Sequence, residues 1–317
     1  MSISFYEVTQ PNTTYTTDDA MFDDAATSGF LEIFGSSNTV LLESSGSYVN
    51  IEGTGNALNG SSINGASAVM YGANNSVSLG ANSHVTDNAA SDTITVGANS
   101  WVYAAGSNST INATQGGTQI TAFDANTVSG NNDVIDLCAT THVMTINGNG
   151  NSISASTDVQ SSYSVQLSVN GSNNSINIGQ SVDQNNCPIE SVSVATSSGS
   201  FIENGNTIVL LGGASLNSNI LSYSSAYINL GNGNILGVGN LQAGTSVESI
   251  DASGNATWSV LQNPGLQSAG VGASANPQAQ QLVQSMASYA AAPAGVSSTL
   301  TTQDSAASAP LLAASHH

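Results

Sequence analysis

The sequence predicts an all-β fold, a β-solenoid of the parallel β-helix kind, on three observations. Short alternating apolar segments recur along the chain. Each is bounded by a Gly- and Asx-rich turn. From about residue 30 to 262 no stretch carries a long helical period.

The repeated unit is seen in Gly72-Ala-Asn-Asn75-Ser-Val77-Ser-Leu79-Gly80 and again in Gly171-Ser-Asn-Asn174-Ser-Ile176-Asn-Ile178-Gly179. Gly35 to Leu42, Gly97 to Tyr103, Gly106 to Ile111, Gly130 to Leu137, Gly148 to Ile153, Gly205 to Leu210 and Gly231 to Gly237 are further instances. Asn and Gly tolerate positive φ, so they make tight corners at little cost. Alternation such as Val77-x-Leu79 turns one face inwards and leaves Ser and Asn to water. Each strand is too short to stand alone, so stability must come from stacking such units. Asn at equivalent corners can then form amide ladders that satisfy buried polar groups coil after coil. Coils of roughly 18–25 residues are expected. A multi-sheet β-sandwich is the competing arrangement of strands this short.

Three segments are expected. Residues 1–29 are non-repetitive and read as an N-terminal arm. Its β-prone Thr13–Thr17 stretch and the acidic pairs Asp18/Asp19 and Asp23/Asp24 flank Tyr15 and Phe22, the aromatic residues expected to carry an assembly contact. Residues 30–262 form the solenoid. Residues 263–317 supply a linker, a short helix and an Ala/Ser-rich flexible tail. That helix opens at Asn276-Pro277, and Leu282, Val283, Met286 and Tyr289 form its apolar stripe. It serves either to cap the last coil or as a C-terminal export signal.

Charge narrows the function. The 317 residues include no Lys or Arg and 20 Asp and Glu, a formal net charge of −20. Such a chain cannot clamp phosphates, neutralise a nucleic-acid backbone or bind an anionic membrane by charge. No run of 18 apolar residues is present, so direct membrane insertion is not expected. Met1 to Glu7 has neither a basic segment nor an apolar one, so it does not read as a secretory signal. The lysine-free, Asn/Ser/Gly-rich composition nevertheless points to a secreted or cell-surface protein, which trypsin-type proteases would find no site to cut.

The Gly-x-Asn-Asn-Ser-Val/Ile-x-Val/Ile-Gly units and the acidic, lysine-poor composition resemble those of the Asn/Gly/Ser-rich β-strand-repeat proteins of Gram-negative bacterial surfaces. These are type I-secreted adhesins, S-layer proteins and filament subunits. The resemblance covers roughly residues 30–317 and implies an extracellular solenoid exported without an N-terminal signal. The calcium-binding nonapeptide repeats are a neighbouring pattern from which this chain departs. Gly130-Asn-Asn-Asp133-Val-Ile-Asp136-Leu and Ser91-Asp92-Thr-Ile-Thr-Val-Gly97 are fragments of it, and no tandem run occurs.

Calcium is the cofactor the acids point to, because it takes oxygen ligands and these carboxylates have no basic partner. The candidate ligands are Asp18, Asp19, Asp23, Asp24, Asp133 and Asp136. Cys138 and Cys187 are either small buried residues or one disulfide. Trp101, Tyr103, Tyr223 and Tyr227 are candidates for a glycan-facing strip, against the alternative of rim packing. His84 and His142 are expected to face solvent. Within residues 30–262 Thr93-Ile94-Thr95 is a single Thr-x-Thr pair that does not recur coil after coil, so a repeated hydroxyl array of the kind that binds ice is not expected. No nucleophile-elbow motif is present, and the basic residue that β-helix lyases use to abstract a proton is absent, so no enzymatic activity is expected. The expected function is a filament or surface-layer subunit that stacks head to tail with itself, assisted by calcium. The alternative is a secreted adhesin that binds polysaccharide or another cell surface.

Overall fold

The computed structural model describes residues 3–26, 29–138, 142–156, 163–178, 189–204, 207–216, 226–239 and 244–261. Among them every regular element is a strand. Successive strands alternate between a 15-stranded sheet, called here the first, and a 13-stranded second sheet. In the first sheet the run from Ser4–Val8 to Ile189–Thr196 is parallel throughout. Alternate winding between two parallel sheets is the solenoid, and it excludes the sandwich. The coil is short, because equivalent corner residues of the parallel coils lie 15 to 23 positions apart, most of them 17 to 19.

The strands form because alternation matches the pleat. Thr93–Val96 buries Ile94 and Val96 and turns Thr93 and Thr95 outwards. Inward residues of the first sheet (Ile94, Ile111, Val128) join those of the second (Val85, Val102, Ile120) in one continuous core. Full burial of each such aliphatic side chain contributes about 1.5–3 kcal/mol, and no single coil buries enough to fold by itself.

The corners are built from a two-residue device. The first residue takes positive φ: Asn74 (62°), Ser91 (65°), Asn108 (61°) and Ala125 (59°) do so at one edge of the core. The next residue turns a polar side chain inwards, and its oxygen accepts the backbone N–H of the equivalent residue one coil earlier. Asn38 Oδ1 accepts from Ala20, Asn56 from Asn38, and Asn75 from Asn56, at 2.9–3.0 Å. Asp92, Ser109 and Asn126 continue the series. A second ladder at the opposite corner runs through Asp133, Asn151, Asn174 and Asn234. The carboxamide Nδ2 groups donate to backbone carbonyls, as Asn126 does to Gly106 and Phe123, both at 2.8 Å. Where coils approach most closely the position must be glycine. A Cβ on Gly53, at φ 134°, would collide with the Gly35 carbonyl below it.

Three expectations require comment. Residues 1–29 do not form a separate arm. Ser4–Val8, Thr13–Thr16 and Ala20–Asp24 are strands in register with the coils that follow. Their alternation was masked by acids at the inward and outward positions. At the other end the winding changes. Asn174 and Asn234, adjacent in the ladder, are 60 residues apart in sequence. The intervening chain contributes antiparallel strands such as Gly199–Asn204 and Thr207–Gly212. The helix and tail expected over 263–317 lie outside the described residues.

Replacing Asn126 with Ala removes one acceptor and two donors from a dry corner. The variant should lose about 2–4 kcal/mol of stability, read as a lowered midpoint in urea or heat with unchanged native circular dichroism.

Candidate functional site

Two features carry chemistry beyond the repeat, the edges of the first sheet and a set of buried acids. Ser4–Val8 stands at one end of the first sheet and Ala256–Val260 at the other. Among the described residues each pairs with one neighbour only, in parallel and antiparallel register respectively. Their remaining N–H and C=O groups form templates for another strand. Both edges also expose apolar side chains: Phe5 is 60% accessible, Trp258 56% and Val260 46%. An unpaired strand with exposed large apolar groups is an association surface.

Behind the first edge the core ends in an aromatic triad. Tyr6 stacks on Phe22 with ring centroids 5.1 Å apart, and Tyr15 leans on Phe22 at 4.9 Å. The two residues expected to lie on a free arm therefore close the end of the core, with Phe22 fully buried. Removing residues 1–29 would uncover the apolar interior of the next coil, so such a truncation would not leave a clean monomer.

The acids are dispersed. Asp18 and Asp19 occupy an exposed corner, where Asp18 Oδ1 accepts the Ser36 N–H at 2.6 Å and Asp19 takes φ 52°. Asp23 and Asp24 point to opposite faces of one strand, and Asp24 is buried with Oδ1 on the Ala26 N–H at 3.2 Å. Asp133 belongs to the buried ladder, whereas Asp136 faces outwards and accepts from Ser154 Oγ at 3.1 Å. Among the described residues no group of three or more Asp, Glu, His and Cys side chains is placed to hold a metal ion. Asp23 and Asp24 are adjacent in sequence, but the pleat sends their carboxylates to opposite faces.

Sequence reasoning missed the acid pair Asp87 and Asp92. Asp87 takes an inward strand position between Met70 and Ala104, where neighbouring coils carry apolar residues. Its oxygens accept the Ala89 N–H and the Ser109 hydroxyl, both at 2.9 Å. Asp92 stands at a ladder position and accepts the Asn75 N–H at 2.6 Å. Its Oδ2 has no donor facing it. Burial, then the neighbouring Asp87 carboxylate, pushes Asp92 up to about 8, so at neutral pH it holds its proton. The same logic raises Asp133, where burial outweighs the Thr118 N–H that opposes it. Ladder Asn residues place an NH2 donor where these acids place their second oxygen, so the neutral acid is the form that mimics Asn. For Asp133 the signal was an acid in the Asx place of Gly130-Asn-Asn-Asp133, whereas Asp92 follows Ala89-Ala-Ser and no glycine marks its unit.

Trp101 and Tyr103 lie side by side on the outward face of one second-sheet strand, with centroids 5.9 Å apart. Phe123 packs edge-on against Tyr103 and His84 lies 6.0 Å from Trp101, so the strip is a short aromatic row on consecutive coils. Tyr227 is exposed on a later strand, while Tyr223 lies outside the described residues. Cys138 is buried at a strand end, and Cys187 also lies outside the described residues. His142 is exposed, and its Nδ1 meets Asp124 Oδ2 at 2.6 Å across one coil.

No family model, curated protein or solved structure matches this chain.

The buried acids make stability depend on pH in an unusual direction. A proton held in the folded state and released in the unfolded one means stability is greatest below the ordinary value of 3.8 and declines as pH rises towards about 8. The melting temperature should therefore fall from pH 4 to pH 8. Asp92→Asn should flatten that slope and raise stability at pH 8 by about 2–4 kcal/mol.

Proposed function

We propose that this chain is a non-catalytic structural subunit that assembles with itself outside the cell, head to tail, into filaments or a surface layer. The observation that supports this most is the pair of sheet edges, unpaired among the described residues, at opposite ends of the first sheet, each exposing large apolar side chains. Heterologous contacts between two different surfaces do not close on themselves and give open polymers. Addition of Ser4–Val8 of one copy to Ala256–Val260 of the next would extend the first sheet without rearranging either core.

The charge sets the condition for assembly. Copies that carry only negative side chains repel one another until ions screen or bridge them. In this reading calcium acts between subunits, joining carboxylates such as exposed Asp18 and Asp19 to those of a neighbour, since among the described residues no three acids gather within one chain. The glycan-binding adhesin is the second reading, and it draws its support from the Trp101–Tyr103 row.

Negative-stain electron microscopy of the purified chain, with calcium or with chelator, tests the proposal. Filaments or sheets are expected from the unmodified chain, with polymers that dissolve in chelator assigning the bridging role to calcium. Phe5→Asp and Trp258→Asp, each with native circular dichroism, should leave dispersed particles. Dispersed particles from the unmodified chain under every condition, or normal polymers from both variants, would overturn edge assembly.

A further inference from the structure

The outward side chains of the first sheet form a grid that sequence order conceals. In-register pairing brings Thr93, Thr110, Thr127 and Thr145 into one rank across four consecutive strands. Two residues further along the same strands, Thr95, Asn112, Ser129 and Asn147 form a second rank. Ser76 and Ser78 extend both ranks by one strand. Thr93-Ile94-Thr95, a lone pair within residues 30–262 of the sequence, is thus one row of an array. The repeat escapes notice because the second place varies among Thr, Asn and Ser while the pairing register holds.

The grid is regular and stiff. Paired strands stand about 4.8 Å apart, and alternate residues of a parallel strand are about 6.6 Å apart, so the two ranks define a nearly rectangular lattice. Thr is β-branched and confined in χ1, which fixes the first rank. Side-chain bonds between coils tie the second. Asn112 Nδ2 donates to Thr95 Oγ1 at 3.5 Å, Asn147 Nδ2 to Ser129 Oγ at 3.4 Å, and Asn170 Nδ2 to Asn147 Oδ1 at 2.9 Å. Most of the ordering entropy is therefore lost on folding rather than on binding a ligand.

A polar face alone means little in a chain this rich in Ser, Thr and Asn, and the second sheet supplies the comparison. On the same coils its first outward rank reads His84, Trp101, Gln119 and Val134, a row of mixed size and polarity. Asp136 stands in the rank beside it. On the first sheet neither rank holds a carboxylate or an aromatic ring from Ser76 to Asn147, although the chain carries 20 acids.

We propose that this face of the first sheet binds ice. A fixed lattice of hydroxyl and amide groups suits a rigid, repeating partner, since a flexible solute gains nothing from it. The absence of charge excludes a mineral surface, which charged groups would recognise. The absence of aromatic rings disfavours crystalline polysaccharide, whose C–H faces stack on such rings. Ice requires neither. Its prism face presents two perpendicular oxygen repeats close to the strand spacing and the two-residue repeat. Water ordered on the grid is continuous with the crystal. This inference is independent of edge assembly.

The test uses the full chain. Ice is grown slowly from a dilute solution, and the protein in the crystal and in the remaining liquid is measured while crystal shape is recorded. The unmodified chain should be enriched in the ice and should facet the crystals. Thr110→Tyr and Thr127→Tyr, which raise a ring above the grid, should be rejected into the liquid with circular dichroism and melting unchanged. Gln119→Tyr on the second sheet should partition like the unmodified chain. Rejection of the unmodified chain from ice would overturn the proposal, as would equal uptake of both Thr variants. Retention on crystalline cellulose with rejection from ice would also overturn it and assign the face to polysaccharide.

Discussion

Everything else in this molecule depends on one bond repeated from coil to coil. An inward side-chain oxygen at each corner accepts the backbone N–H of the equivalent residue in the preceding coil. Corners in a narrow solenoid bury backbone groups that no strand can pair, and each would cost about 1–3 kcal/mol if left unmet. The ladder meets them with Asn and Ser, and at Asp92 and Asp133 with acids that burial pushes towards the neutral form. A chain without Lys or Arg has no side-chain cation besides His with which to offset a charged corner, so neutrality there follows from composition as well as from burial. The positive-φ residue before each ladder residue is the geometric half of the same device.

With the corners satisfied internally, both outer faces are free of structural duty, and the chain uses them differently. From Ser76 to Asn147 the first sheet presents small, uncharged, in-register groups, whereas on the same coils the second carries aromatic rings and an acid. The ends differ as well. A parallel edge backed by the Tyr6–Tyr15–Phe22 triad faces one way, and an antiparallel edge bearing Trp258 lies at the far side of the same sheet. Unlike ends on one sheet provide a polarity that stacking copies can follow.

The repeat, the solenoid class and the amide ladders were legible in the sequence, because Gly-Asn-Asn corners and Val-x-Leu alternation act through local backbone chemistry. The first coil was not, because Asp23 and Asp24 broke the apolar pattern of a strand whose inward residue is Phe22. The separation of the acids within each pair was hidden for a related reason, since neighbours in sequence point to opposite faces of a strand. Asp87 and the Thr rank depend on register between coils of unequal length, 17 residues in some places and 19 in others. Register is a property of pairing, and a one-dimensional reading loses it wherever the period drifts.

Native-state hydrogen exchange, resolved by residue, tests the ladder most directly. The backbone N–H groups of Asn38, Asn56, Asn75, Ser109 and Asn151 should exchange as slowly as those of the central strands, opening only with global unfolding. Exchange at those corners as rapid as at an exposed turn, with the strands still protected, would show that the ladder does not hold the coils together and would contradict the account.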